Sequence, residues 1–452
     1  MAVASQRVDV VVVGAGVAGL ACAAALAPLR VVVLEASEAV GGRVRRVCVD
    51  GVGVEAGAAW VHGTEGNPLM EFVGDRLIPV TARNPRLEPS LEEHHVLWGD
   101  GRGPVSPEEY GDGVGAFRAA ARVVADKAGA CFDDTEAAGP VIRAAVGGVD
   151  PRSRPVVEFL FWQEANWNGV GLGALPLACF QSGEGEDGEE GDYPGPHCSI
   201  AGGMYGVVAD LAAGVDVVTN CPVVRIVSDA SGVVVHVDGD TPPVHCRAAV
   251  VTASVGVLAS GLMSFEPPLP SAKVEAVARL RMGNDTKVML WFETVFWPPG
   301  RPYIGILWPS PPGDGRPQFR LFVDYHHIAR QPVLVAFVCG EDAAAAAAMS
   351  AEDVQAAAVA ALQAALPGVD VPAPKATHVT RWHAEPWIRG SYTYPALGSS
   401  YEDHDALAQH VPDAHLFFAG EATDAELMGS VPGALLTGRR AAAAVRQHLA
   451  VE

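Results

Sequence analysis

Two groups of residues in this chain have types and spacings suited to chemistry. The first is GAGVAG, residues 14 to 19, followed by Glu35 at the end of the next apolar run. Gly14 permits a tight strand-to-helix turn, Gly16 lets the backbone approach a pyrophosphate, and Gly19 allows helix and strand to pack closely. A carboxylate 21 residues after Gly14 can accept both hydroxyls of a ribose and would repel a 2′-phosphate. A lone glycine-rich turn is a weak signal, but here strand, helix and acid all stand at the required places. The second group is GAAWVHGTEG, residues 57 to 66, which sets Trp60 and His62 among glycines, in a segment so pliable that neither ring has an obvious structural job.

These residues need elements to hold them. VDVVVV (8 to 13) is a continuous β-branched run expected to form a buried parallel strand, GAGVAGLACAAALA a helix, and RVVVLEA (30 to 36) a second strand. Together they form a βαβ unit opening a doubly wound nucleotide-binding fold. Between about 80 and 200 the pattern loosens, and the acidic stretch GEGEDGEEGD (183 to 192) reads as a loop. A helix-like GGMYGVVADLAAG, the strands PVVRIVSD and GVVVHVDG, and RAAVVTASVGVL follow. KVMLWFE (287 to 293) alternates as a half-buried strand, residues 342 to 366 form an Ala-rich helix pair or one long helix, and HLFFAGEA leads into a C-terminal helix.

A chain of 452 residues exceeds the ~250–300 residues that one hydrophobic core serves, so two domains are expected. Because the nucleotide signals lie at both ends, the domains are expected to interleave: 1–78, 199–282 and 395–452 binding cofactor, 79–198 and 283–394 binding substrate. A net charge of −22 disfavours nucleic acid or an anionic membrane as partner; it would attract polycations, but in a typical acidic protein such a charge only keeps the chain soluble. Eight scattered cysteines without CxxC spacing indicate neither zinc nor a dithiol site, so no metal is expected. With no signal peptide, no peroxisomal ending and no long apolar run, a soluble cytoplasmic protein is expected, as a monomer or weak oligomer.

EASEAVGGR resembles the second nucleotide contact of the flavin amine oxidase family, with Arg43 at the pyrophosphate. GAAWVHGTEGNPL, VVTASVGVL, FEPPLP, GNDTKVMLWFE, WHAEPWIRGSYTYPALGSS and FFAGEATDAELMGSVPGALLTGRRAA resemble, in order, segments of eukaryotic polyamine oxidases. The resemblance implies an α/β fold in which a Rossmann-like FAD-binding domain interleaves with a mixed α+β substrate domain. It also implies hydride transfer from a secondary amine of spermine or thermospermine to flavin, and hydrolysis of the imine to 3-aminopropanal and a shorter polyamine. Molecular oxygen would then be reduced to hydrogen peroxide.

By the same resemblance Lys287 is the active-site lysine that holds a water at the flavin edge, and Tyr392 is one wall of an aromatic cage whose other wall is Ser430. Ser391 stands where monoamine oxidases carry the cysteine bonded to FAD, so noncovalent FAD is implied. Trp60, Trp387, Gly420, Glu421 and Val431 match cofactor neighbours, and Val223 matches a residue whose backbone pairs with adenine. Trp382 lies near the substrate path. His62, Glu164, Asn166 and Asp192 match substrate-facing positions, His62 also being a candidate in catalysis. Ser37 and Ala39 depart from the pattern, which has arginines there. Two other readings share these motifs. One is a histone lysine demethylase, whose additional N-terminal helical domain and long helical insertion are not expected here; the other is a flavin-binding interaction protein without turnover.

Overall fold

A computed structural model describes residues 8–81, 94–129, 135–180, 193–239, 241–309 and 317–450. The β-branched N-terminal run forms the strand Val10–Val13 at the centre of a five-stranded sheet. Its neighbours are Val31–Leu34 and Ala248–Val251, and Val217–Val218 and Leu416–Phe418 lie outside them; every pairing is parallel. All four valines are buried, each worth about 1.5–3 kcal/mol of apolar transfer, because both faces of the sheet are covered. Val10 and Val12 pack with the helices Val17–Ala25 and Val431–His448, while Val11 and Val13 pack on a four-stranded sheet built around the hairpin Val223–Asp229 and Gly232–Val237. The result is a three-layer α/β nucleotide-binding unit.

A second sheet of seven strands runs in the order Ala376–Val379, Asp285–Trp291, Val333–Cys339, Leu321–Asp324, Tyr303–Leu307, His94–Trp98 and Gly103–Pro104. Its strands come from 79–198 and 283–394, whereas those of the first two sheets come from 1–78, 199–282 and 395–452. Two small sheets stitch these regions together: Arg281–Met282 with Thr393–Tyr394, and Val61–His62 with His197–Ile200 and Leu77–Thr81. The hairpin Arg46–Val49 and Val52–Glu55 belongs in sequence to the first region, yet Val54 packs into the core of the seven-stranded sheet.

Two sequence expectations need correction, and a third, which left a helix pair or one long helix open at 342 to 366, is resolved in favour of the pair. The strand at 287 is not half-buried, since every residue of Asp285–Trp291 is buried. Val288 and Leu290 pack in the core that includes Val354, Ala358 and Leu362 of the helix Ala351–Ala365, and Met289 and Trp291 in the core that includes Val54. Lys287 is therefore the third residue of a covered strand rather than a strand end. The loosely patterned middle contains three helices, Pro107–Gly129, Ala138–Gly147 and Arg154–Trp167. Gly113 lowers intrinsic helix propensity, but the helix crosses Arg154–Trp167 so closely there that an added Cβ would stand 2.4 Å from the Val156 side chain. Tertiary packing overrides propensity. The Ala-rich stretch is two helices, Gly340–Ala348 and Ala351–Ala365, because Ser350 caps the second by accepting from the Asp353 amide at 3.1 Å.

Among the described residues, no helix is long and apolar enough to cross a membrane and no cluster of three or more His, Cys, Asp or Glu could hold a metal. Cys22, Cys198, Cys221, Cys246 and Cys339 are buried free thiols, Cys48 is an exposed one, and Cys179 is exposed.

Candidate active site

A cavity of about 1380 Å³ runs from the glycine turn to the seven-stranded sheet. It exceeds the ~300–1,000 Å³ of a pocket for one drug-sized ligand, as a dinucleotide and a second molecule together would require.

At one end the turn is shaped by contact. Gly14 has φ of +100°, and a Cβ on Gly19 would stand 1.9 Å from the Gly14 carbonyl oxygen, so Gly19 works behind the cavity wall rather than on it. Gly16 is the reverse case. A Cβ there would meet nothing within 4 Å among the described residues, and Gly16 lines the cavity at the N-terminus of Val17–Ala25. The open space and the helix N-terminus fit a phosphate. Glu35 is buried at the rim, with its carboxylate oriented by the amides of Ala15 (2.6 Å) and Ser37 (2.8 Å), and its remaining acceptor capacity suits ribose hydroxyls. Ser37 lines the cavity through this arrangement although it supplies no positive charge. Val223 opens the hairpin beside it.

In the middle, Arg43 donates to Glu421 Oε1 at 2.6 Å and to the Ser391 carbonyl at 3.2 Å. Glu421 also accepts from the Gly429 amide at 2.8 Å and from the Thr393 hydroxyl. Burial pushes its carboxyl upward, but the charge of Arg43 and these hydrogen bonds outweigh it and hold the group below the usual carboxylate range. The Glu421 carboxylate therefore orients Arg43, while Gly420 and Val431 face the cavity beside it.

At the far end stand Trp60, His62, Glu164, Asn166, Lys287, Trp382, Trp387, Tyr392 and Ser430, all on the cavity wall. His62 lies 4.7 Å from the His197 ring and meets Trp167 edge-on at 6.5 Å, and Trp60 lies 5.0 Å from His197. Glu164 and Asn166 project from the last turn of Arg154–Trp167. The Tyr392 hydroxyl donates to the Trp167 carbonyl at 3.1 Å, which anchors its ring. Ser430 has its hydroxyl engaged in capping Val431–His448, accepting from Gly433 at 3.0 Å and donating to Leu427 at 2.7 Å; it contributes a small wall rather than a polar contact. Asp192 lies outside the described residues.

Lys287 donates to the carbonyls of Gly57 (2.6 Å) and Glu55 (3.2 Å), with its ammonium 5.1 Å from the centre of the Phe337 ring. Burial drives its pKa down against the opposing charges of Asp285 and Glu55. Burial also raises Asp285 to about 6 and Glu55 to about 7, outweighing the lowering charge of Lys287 on each. Asp285 and His197 were not singled out by motif. Asp285 carried a readable signal, because a residue two before Lys287 on a strand must share its face. His197 carried none, since only the antiparallel pairing of His62 with His197 brings it to the site.

A family described as flavin containing amine oxidoreductase matches residues 17–446. The chain belongs to this family. It is 31% identical to polyamine oxidase 2 of Arabidopsis thaliana, over 98% of this chain and 88% of the relative. It is also 31% identical to lysine-specific histone demethylase 1 homolog 3 of Oryza sativa subsp. indica, over 97% of this chain, and spans about half (54%) of that relative's length. A solved putrescine oxidase with bound putrescine superimposes with a TM-score of 0.72 at 23% identity, covering 98% of this chain and 99% of the other, which places the fold among flavin amine oxidases. FAD is this family's cofactor, and the dinucleotide cradle lined by Gly14, Gly16, Glu35, Arg43, Val223, Gly420 and Val431 is the candidate place for it.

Proposed function

We propose that this flavoenzyme is a polyamine oxidase that cleaves spermine or thermospermine at a secondary amine. The products are 3-aminopropanal and a shorter polyamine. The observation that carries the reading is the continuity of one cavity from the phosphate turn to the buried Lys287, past the aromatic walls of Trp60, Trp387 and Tyr392. Bound flavin supplies the two-electron acceptor for the amine carbon and passes the electrons to molecular oxygen as hydrogen peroxide. Ser391 offers a hydroxyl rather than a thiol, in keeping with noncovalent FAD.

The chain's own residues bind and orient. The anchored Tyr392 ring and the small wall at Ser430 leave a slot for an uncharged amine, while Glu164, Asn166 and His62 accept from nitrogens farther along the substrate. Tryptophans keep the reacting end dry, where an ammonium at Lys287 positions water and stabilises charge developing on oxygen. In this reading the enzyme works in the cytoplasm as a monomer or weak oligomer, which fractionation and sizing chromatography would check.

The test is a panel of spermine, thermospermine, spermidine and acetylated polyamines added to the FAD-loaded protein under defined oxygen, with mass spectrometry of products. Flavin bleaching and peroxide with a tetraamine are expected. No bleaching with any of them would sink the reading and favour a flavin-binding protein without turnover. The match to histone demethylase relatives favours a second reading, turnover of a methylated lysine peptide. Peroxide from such a peptide, with none from polyamines, would establish that instead.

A further inference from the structure

We infer that Asp285 is a positioning residue for Lys287, its carboxylate acting across one face of the strand Asp285–Trp291 to keep the lysine ammonium charged beside the cavity. The inference rests on the proposed function, in which Lys287 serves the redox half of the reaction.

The geometry leads there directly. Residues two apart on a strand share a face, and Asp285 and Lys287 both line the cavity while being only 8% and 5% exposed. The lysine Nζ donates to two neutral carbonyls, Gly57 and Glu55, which satisfy two of its three hydrogens without balancing its charge. Asp285 has its amide tied to the Ser391 hydroxyl at 3.1 Å, and its buried Oδ1 makes no hydrogen bond among the described residues. A buried carboxylate oxygen so placed is a point charge directed at its surroundings, and the nearest cation on its face is Lys287. The two form no direct ion pair, so the influence is through space.

Every other ionisable group packed there can be set against Asp285. Glu55, on the facing hairpin, also interacts with Arg46 and lies against Tyr325; with a pKa near 7 it is only partly ionised at neutrality. Cys339 pairs with Asp285 in register on the adjacent strand and feels Asp342 and Arg320, but burial holds its thiol well above the ordinary range and therefore neutral. Asp285, raised to about 6, is mostly ionised at neutrality and is the carboxyl on the lysine's own strand face. Without it a fully enclosed ammonium would face one half-charged partner.

The experiment follows the visible absorbance of bound flavin against pH, with no amine present, and the oxygen reoxidation of dithionite-reduced protein against pH. It uses wild type, D285N, D285E, K287M and K287M/D285N, each loaded with FAD. A lysine-dependent transition absent in K287M is expected in wild type. Loss of the adjacent negative charge should lower it by about one pH unit or more in D285N, and D285E should restore it. If D285N does not retain flavin, D285S is read the same way. The inference is overturned if either variant titrates where wild type does, if the shift persists in the K287M background, or if wild type has no lysine-dependent transition. Failure of wild type to bleach with any amine would instead remove the proposed substrate reading while leaving this titration intact.

Discussion

Arg43 and Glu421, 378 residues apart in the chain, meet as an ion pair with Nη1 and Oε1 2.6 Å apart at the middle of the cavity, the carboxylate buried and the guanidinium half-buried. The pair joins the second nucleotide contact to the end of the last parallel strand, so the cofactor wall is assembled from both ends of the chain. Thr393, which also bonds Glu421, belongs to the short ribbon that links the two sheets. The cavity wall at Arg43 and the docking of the two sheets are thereby tied to one carboxylate.

Replacing Glu421 with Gln should leave the half-buried Arg43 against a neutral partner, at a cost of about 1.5–3 kcal/mol. The flavin content of purified protein and its melting temperature with and without added FAD should both fall. The pH dependence has a definite sign. The Glu421 carboxyl is held below its ordinary value of 4.5, so its stabilisation is fully present above that value and is lost as pH falls through the lowered one. Acid unfolding followed by circular dichroism should lose part of its steepness below pH 4.5 in E421Q, and an unchanged profile would show that the pair contributes nothing.

Glu55 predicts the opposite slope. Its carboxyl is raised from 4.5 to about 7, so the folded chain binds more protons than the unfolded chain between those values and stability falls as pH rises through that window. A tenfold difference in proton affinity between the folded and unfolded chain is worth about 1.4 kcal/mol before relaxation. E55Q should flatten chemical-denaturation stability between pH 4.5 and 7, and should do so most strongly in a Lys287→Met background, where the charge that opposes the rise is gone. A parallel decline in wild type and E55Q would refute it.

Two glycines of one turn should fail in different ways. Gly16→Ala places a methyl in open cavity at a φ of −72°, which any residue adopts, so the apoprotein should melt within about 0.5 kcal/mol of wild type. FAD affinity by fluorescence titration should drop about tenfold or more, equivalent to about 1.4 kcal/mol. Gly19→Ala drives its methyl against the Gly14 carbonyl, and should destabilise the apoprotein by about 1–3 kcal/mol. If Gly16→Ala destabilised the apoprotein as much as Gly19→Ala, the open face of Gly16 would not be the cofactor's.

Much of this could be read from residue order, and the misses share a cause. Strand Val10–Val13, the glycine turn and Glu35 follow local rules of propensity and spacing, which suffice when one short segment makes the feature. Burial of Asp285–Trp291 on both faces depends on the helix Ala351–Ala365 and the hairpin at Arg46–Glu55, neither adjacent in sequence, so alternation alone read it as half-exposed. The helix Pro107–Gly129 carries several glycines that weaken its pattern, and one of them, Gly113, admits a neighbouring helix. In the site, motif order pointed to residues that line the cavity but could not tell a ligand contact from an internal brace. Glu421 and Ser430 show this, one orienting Arg43 and the other capping a helix. His197 entered only through cross-strand pairing.

His62 tests the substrate end. Its ring sits against His197 and edge-on to Trp167, on the wall that continues from Trp60, with Glu164 and Asn166 on the same cavity. If it receives a substrate nitrogen, His62→Ala should raise KM for spermine about tenfold, the value of one good polar contact, and should slow flavin reduction measured at saturating amine by misplacing the reacting carbon. His197→Ala removes the neighbouring ring without removing that acceptor, so its effect should appear in thermal stability, with KM moving less. Equal kinetics for wild type and His62→Ala, measured as stopped-flow bleaching over a range of spermine concentrations, would leave His62 a packing residue and assign amine placement to Glu164, Asn166 and Tyr392.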